Sequence, residues 1–224
     1  MNHIIQIAGI RDQAEAELLM DCGVDWLAFP LRLPFHMEDL SEVEAARIIQ
    51  SIRPPHEAVL ITYLNRAEEI AALCRKLGVR RVQIHGDISG AELTTLRTLD
   101  PSLFVIKSLI IRENNQSELE MRVRELGARV DAFITDTYDP ETGAVGATGK
   151  THDWRTSRRL VEATSRPLML AGGLSPGNVA RAIRQVRPAG VDAHTGVEDN
   201  AGRKDKKLIQ LFVKESRKAF SEIP

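Results

Sequence analysis

The sequence predicts a parallel (β/α)8 barrel of the TIM type. Short apolar strand signals alternate with helical patterns eight times along 224 residues. The strands read as near-continuous apolar runs, which suits sheets covered on both faces. Glycine-bearing turns follow the late strands, where such barrels carry their chemistry. A doubly wound open sheet is the alternative. It wants a glycine fingerprint after the first strand, and Ala8-Gly9-Ile10-Arg11 offers one glycine. The chain is read as one barrel domain over residues 1–224.

His3-Ala8 opens the chain as a strand, followed by a helix over Arg11-Cys22 that closes at Gly23. Val24-Phe29 is the second strand. Ser41 and Glu44 form a predicted capping box for a helix filled by Val43, Ala46, Ile48 and Ile49, which Pro54-Pro55 stops. Ala58-Thr62 is strand three, and Asn65 is the expected cap of a helix through Lys76, ended by Gly78. Arg80-His85 is strand four. A helix from Ser89 to Thr98 follows, with Leu93 and Leu96 inward. Leu103-Leu109 is strand five and Ser117-Leu126 its helix.

Asp131-Asp136 is strand six, and Thr137-Thr151 is the longest connection, a candidate lid. A helix over Asp153-Thr164, strand seven at Pro167-Ala171 and a helix over Pro176-Val186 with proline in its first turn come next. Gly190-Thr195 is strand eight. Arg203-Phe220 closes the chain with Leu208, Leu211, Phe212 and Val213 as its apolar set.

Thirty basic against 31 acidic residues leave a formal charge of -1 and no global signature of nucleic-acid or anionic-membrane binding. No apolar run approaches the ~20 residues of a membrane span, and the start has no signal-peptide pattern. With two cysteines, Cys22 and Cys74, both on helical patterns, a cytoplasmic protein is expected.

Three glycine turns point to a shared phosphate site: Gly149 in loop six, Gly172-Gly173 after strand seven, and Thr195-Gly196 after strand eight. Glycine lets the backbone approach an anion, and helix N-terminal N–H groups point at it. Asp136 ends strand six, His85 and Asp87 end strand four, and His194 ends strand eight. Each is a barrel-mouth candidate whose bland alternative is structural hydrogen bonding. A divalent metal on these His and Asp residues is disfavoured, because no tight two-ligand spacing occurs.

Taken together, Val82-Gln83-Ile84-His85-Gly86-Asp87, Thr148-Gly149-Lys150-Thr151-His152-Asp153-Trp154, Leu170-Ala171-Gly172-Gly173-Leu174-Ser175-Pro176-Gly177-Asn178-Val179 and Gly196-Val197-Glu198 resemble the phosphoribosylanthranilate isomerase family over nearly the whole chain. The resemblance implies an Amadori-type aldose–ketose isomerisation in tryptophan biosynthesis, on a phosphorylated small molecule, with no cofactor and no metal. It implies a monomer or homodimer. It carries the general-acid role onto Asp136 and phosphate binding onto Gly149, Gly172, Gly173, Thr195 and Gly196; His36 and His85 are further candidate substrate contacts.

The sequence departs from the family at the first strand. The family pattern is Lys-Ile-Cys-Gly, with cysteine as general base, whereas this chain has Gln6-Ile7-Ala8-Gly9. Ala8 takes no proton. In the loop after strand two, His36 stands near the family's arginine position and Arg32 is displaced. His194-Thr195 replaces a serine pair, and Ala147 replaces a glycine of loop six. Two readings follow: an isomerase in which a histidine, best placed as His194, supplies the base, acting on the family substrate or on a different phosphosugar, or a phosphosugar-binding protein without turnover.

Overall fold

The computed structural model describes residues 3–34, 38–138 and 151–223. Eight parallel strands close into a barrel in sequence order: β1 (Ile4–Ala8), β2 (Trp26–Pro30), β3 (Glu57–Thr62), β4 (Arg81–Ile84), β5 (Phe104–Ile111), β6 (Ala132–Thr137), β7 (Leu168–Leu170) and β8 (Gly190–Ala193). β1 closes on β8 with Gln6 opposite Asp192 and Ile7 opposite Ala193. Each strand is followed by a helix: α1 (Gln13–Asp21), α2 (Glu42–Ser51), α3 (Ala67–Leu77), α4 (Gly90–Leu99), α5 (Gln116–Leu126), α6 (Trp154–Ala163), α7 (Val179–Val186) and α8 (Lys206–Glu222). A 3-10 turn, η1 (Thr195–Val197), lies between β8 and α8.

Period-two alternation along each strand divides the core in two. Outward residues such as Ile5, Ile7, Leu27, Leu60, Val105 and Phe133 pack against the helices. Inward residues, among them Ala8, Ala28, Val59, Ile61, Ile106, Ile134, Met169 and Ala171, fill the barrel. Four alanines occur in that inner set, so it has room for polar side chains, and Gln6, Gln83 and Asp192 are buried there.

The predicted capping box is present. Ser41 Oγ accepts from Glu44 N–H, and Glu44 Oε2 accepts from Ser41 N–H at 3.0 Å. Ser41→Ala is expected to cost about 1 kcal/mol, read as a lower urea midpoint at unchanged slope.

Several boundaries differ from expectation. Asn65 does not cap α3; Arg66 holds the N-cap position without a side-chain bond. Pro176 lies before α7, because Asn178 and Val179 donate to Ser175 O and make residues 175–178 a turn of their own. β8 stops at Ala193, and Thr195 starts η1. On α2, Ile48 and Ile49 are buried as expected, but Val43 is 65% exposed and Ala45 is buried with them, and on α8 Phe212 packs inward with Ile209 while Leu211 faces solvent. With 3.6 residues per turn, neighbours at the edge of an apolar stripe differ by about 100° in facing, so residues at the margin of the inferred face are the ones misplaced.

Candidate active site

Alternation that fills the barrel also aims the strand ends. Ile134 faces inward, so Asp136, two residues on, does the same at the C-terminal end of β6. By the same step Gln83 leads to His85 just past β4 and Gln6 leads to Ala8, while His194, past the end of β8, is placed by its ring packing against Gly9. Asp136, His85, His194 and Ala8 therefore share the interior of one barrel mouth.

Asp136 Oδ1 accepts from the Thr137 N–H at 2.8 Å. Burial dominates over that bond and pushes its carboxyl up to about 7, so near neutrality it can hold a proton and give it away. Tyr63 faces it: burial, then the Asp136 charge, raises the phenol to about 12. Tyr63 also meets the His85 ring at 4.8 Å, tilted by 53°. Deeper in the barrel, Asp192 is pushed up to about 8, first by burial and then by Asp136. Gln6 Nε2 donates to Asp192 Oδ1 and to Gln83 Oε1, both at 3.0 Å, and Gln83 Nε2 donates to Ser108 Oγ at 3.3 Å. This buried polar floor lies beneath the mouth.

His194 leans over the end of β1. A Cβ placed on Gly9 would stand 2.1 Å from His194 Nε2, and Gly9 itself has φ +76. Glycine is thus required on two counts, and the imidazole occupies the space a side chain on Gly9 would take, next along the chain from Ala8. Burial, then the cations Lys204 and Arg11, drives His194 down to about 3, so its ring is neutral at physiological pH. Glu198 Oε1 lies 3.4 Å from His194 Nε2 and is held at 2.7 Å by Lys204, whose side chain is fully buried.

The glycine turns meet one another. A Cβ on Gly196 would lie 1.9 Å from Leu174 O, so η1 sits directly on the loop after β7. Gly172, at φ +98, leaves room for Thr137: a Cβ there would be 2.2 Å from Thr137 Oγ1. Thr137 in turn bonds His152 Nδ1 at 2.9 Å, and His152 Nε2 meets Ser157 Oγ at 2.6 Å. Burial holds His152 at about 4, neutral. Asn178 shapes the same loop, accepting from Ser175 N–H and donating to Gly173 O, each at 2.9 Å. Among the described residues, no backbone acceptor meets the N–H of Gly173 or Gly196. Loops seven and eight therefore present close-packed backbone beside the acid, an arrangement suited to a phosphate.

Of the residues picked out by sequence, Asp136, His85 and His194 converge with Ala8, and Gly172, Gly173, Thr195 and Gly196 form the adjoining wall. His36 and Gly149 lie outside the described residues. Asp87 is exposed and ion-paired with Arg122. No group of three His, Cys, Asp or Glu residues among those described is arranged to hold a metal, and no described helix is long and apolar enough to cross a membrane. Cys74 is buried in α3, its thiol raised to about 12, and Cys22 caps the C-terminal end of α1 at the opposite face. Sequence reasoning missed Asp192 and Gln6, whose signal was a polar residue on the inward phase of an apolar strand.

The sequence profile of the N-(5'-phosphoribosyl)anthranilate (PRA) isomerase family matches residues 6–215. N-(5'-phosphoribosyl)anthranilate isomerase 2 of Methanosarcina mazei is 36% identical over 220 residues, 98% of this chain and 96% of that protein. The Haloferax volcanii N-(5'-phosphoribosyl)anthranilate isomerase is 32% identical over 216 residues, 96% and 93% of the two chains. Among solved structures, phosphoribosylanthranilate isomerase from Thermotoga maritima superposes with a TM-score of 0.80 at 26% identity, covering 96% of this chain and 99% of that one. A phosphoribosyl anthranilate isomerase in complex with reduced 1-(o-carboxyphenylamino)-1-deoxyribulose 5-phosphate gives a TM-score of 0.78 at 25% identity, with 96% and 99% coverage.

Proposed function

Since this chain belongs to the PRA isomerase family, we propose that it isomerises an N-linked phosphoribosyl amine to an aminodeoxyribulose phosphate, with Asp136 as general acid and His194 as general base. The placement of Asp136 carries this reading: an inward carboxyl at a strand end, protonated near neutrality, beside a backbone-lined anion wall.

The chemistry balances without a cofactor. Asp136 gives its proton to the ribose ring oxygen as the C1–O bond breaks, and the nitrogen lone pair makes an iminium. A base removes the C2 proton, whose electron pair forms the C1–C2 double bond of the enol as the C=N pair returns to nitrogen. Proton return to C1 and loss of the enol proton then yield the ketone.

Ala8 supplies no base, and His194 stands beside it. Its ring is neutral, but at about 3 it is a weak base. A bound phosphate at Thr195 and Gly196 adds negative charge next to His194 and opposes the Lys204 and Arg11 effect, raising its basicity in the complex. Binding without turnover is the competing reading, and the depressed histidine is the observation that favours it.

One assay separates them. Purified protein is given phosphoribosyl anthranilate beside Ala8→Cys and His194→Ala variants. The expected result is turnover by the unaltered protein and a fall of about 10²–10⁴-fold for His194→Ala. Full activity of His194→Ala would sink the base assignment. Turnover confined to Ala8→Cys would establish binding without an intact catalyst.

A further inference from the structure

Lys107 is a buried lysine in β5, 3% exposed. Its Nζ donates to Ser108 O at 2.7 Å and Ile84 O at 3.3 Å. Among the described residues, no carboxylate comes within ion-pair distance of it. A neutral amine carries two N–H bonds and one lone pair, and two carbonyls accept both N–H. An ammonium in the same place has a third N–H to satisfy and a charge to bury, both costly away from water. The hydrogen-bond count thus favours the free amine. Burial, with help from Arg122 against the opposing Asp87, likewise lowers the group to about 7.

This amine lines a cavity of about 330 Å³ between the loops after β4 and β5 and helix α5. The titratable groups facing that space are Tyr63, His85, Asp87, Arg112, Glu118 and Arg122. Arg122 is taken up by Asp87. Arg112 lies over the Tyr138 ring at 4.9 Å and makes no ion pair among the described residues. Its guanidinium is available to an anion. A reactive amine, a small cavity and an available cation define a ligand class.

We propose that Lys107 captures a small anionic aldehyde in this cavity as an imine, with Arg112 binding the anionic group. The amine lone pair attacks the carbonyl carbon while the C=O pair moves to oxygen and takes up a proton. Loss of water from the carbinolamine, with the nitrogen proton, leaves the C=N bond. No oxidant or reductant is needed. Tyr63 and His85 connect the cavity to the barrel mouth, but neither Asp136 nor the wall of loops seven and eight lines it, so capture at Lys107 does not depend on the acid or the phosphate wall.

The test uses the intact wild-type protein with glyoxylate and sodium cyanoborohydride at pH 7, followed by peptide mass mapping. Hydride reduction fixes each imine as a carboxymethyl amine. Lys107 is expected to label at least about tenfold faster than exposed lysines such as Lys207, because an unperturbed lysine is neutral in fewer than about one molecule in a thousand at pH 7. Raising the pH to 10 should erase that preference. Arg112→Gln should slow capture of glyoxylate while leaving capture of neutral acetaldehyde unchanged. Labelling of exposed lysines at a rate equal to or above that of Lys107 would overturn the capture site. Equal effects of Arg112→Gln on both aldehydes would overturn the anion subsite. The first readout needs no variant, so misfolding cannot obscure it.

Discussion

Asp136→Asn is expected to lower kcat for the isomerisation by about 10²–10⁴-fold, or about 3–5 kcal/mol of barrier, with little change in phosphate affinity. Asparagine keeps the shape and the acceptor for Thr137 N–H but has no proton to give to the ring oxygen. The wild-type rate should also fall as pH rises through about 7, because the protonated carboxyl is the active form. That descending limb should vanish in the variant.

The variant's stability should move opposite to its activity. Burial raises the folded-state pKa of Asp136 from the ordinary 3.8 to about 7, so between those values the native state binds more protons than the unfolded one. Stability then declines as pH climbs through that window. Asp192, raised to about 8 for the same reason, extends the decline. Asparagine removes the Asp136 share, and the variant should melt above wild type at pH 8. A variant that keeps wild-type turnover, or melts lower at pH 8, contradicts the role given to this carboxyl.

Gly196→Ala should damage the anion wall and the fold together. The new Cβ would meet Leu174 O at 1.9 Å and Leu174 C at 2.9 Å, both backbone atoms that no rotamer change can move aside. Either η1 or the loop after β7 must shift. Overpacking of that kind costs about 1–3 kcal/mol, or roughly 2–10 °C in Tm for a chain of this size. Displaced backbone N–H groups should weaken competitive inhibition by inorganic phosphate at least about tenfold, a 1.4 kcal/mol change. Serial titration of phosphate against turnover, beside a thermal melt, reads both effects. Wild-type inhibition in a destabilised variant would place the phosphate elsewhere.

The eight strand–helix units were legible in the sequence because their signals are local. Ser41 and Glu44 are three residues apart, and Gly78 ends α3 in the left-handed conformation that glycine tolerates. Asp136, His85 and His194 were found because each lies within one residue of a strand's C-terminal end. Boundaries were less legible. Pro176 looked like a helix start, yet the side chain of Asn178 and the turn it anchors decide where α7 begins.

By itself the sequence determined the barrel, the carboxyl near the end of β6, the glycines after the late strands and the alanine at position 8. Tertiary structure alone decided what those residues meet. Gln6 reaches Asp192 across 186 positions because β1 closes on β8, and that contact exists only in a closed barrel. His194 overhangs Ala8 because Gly9 has no side chain to exclude it. Lys107 lies in an apolar run where sequence shows only an odd charge. In the fold its Nζ meets two backbone carbonyls, Ile84 O across the sheet and Ser108 O beside it, and burial lowers it to about 7 beside a cavity. Periodicity and turn chemistry act over a few residues, whereas desolvation and close approach depend on atoms the chain brings together from far apart.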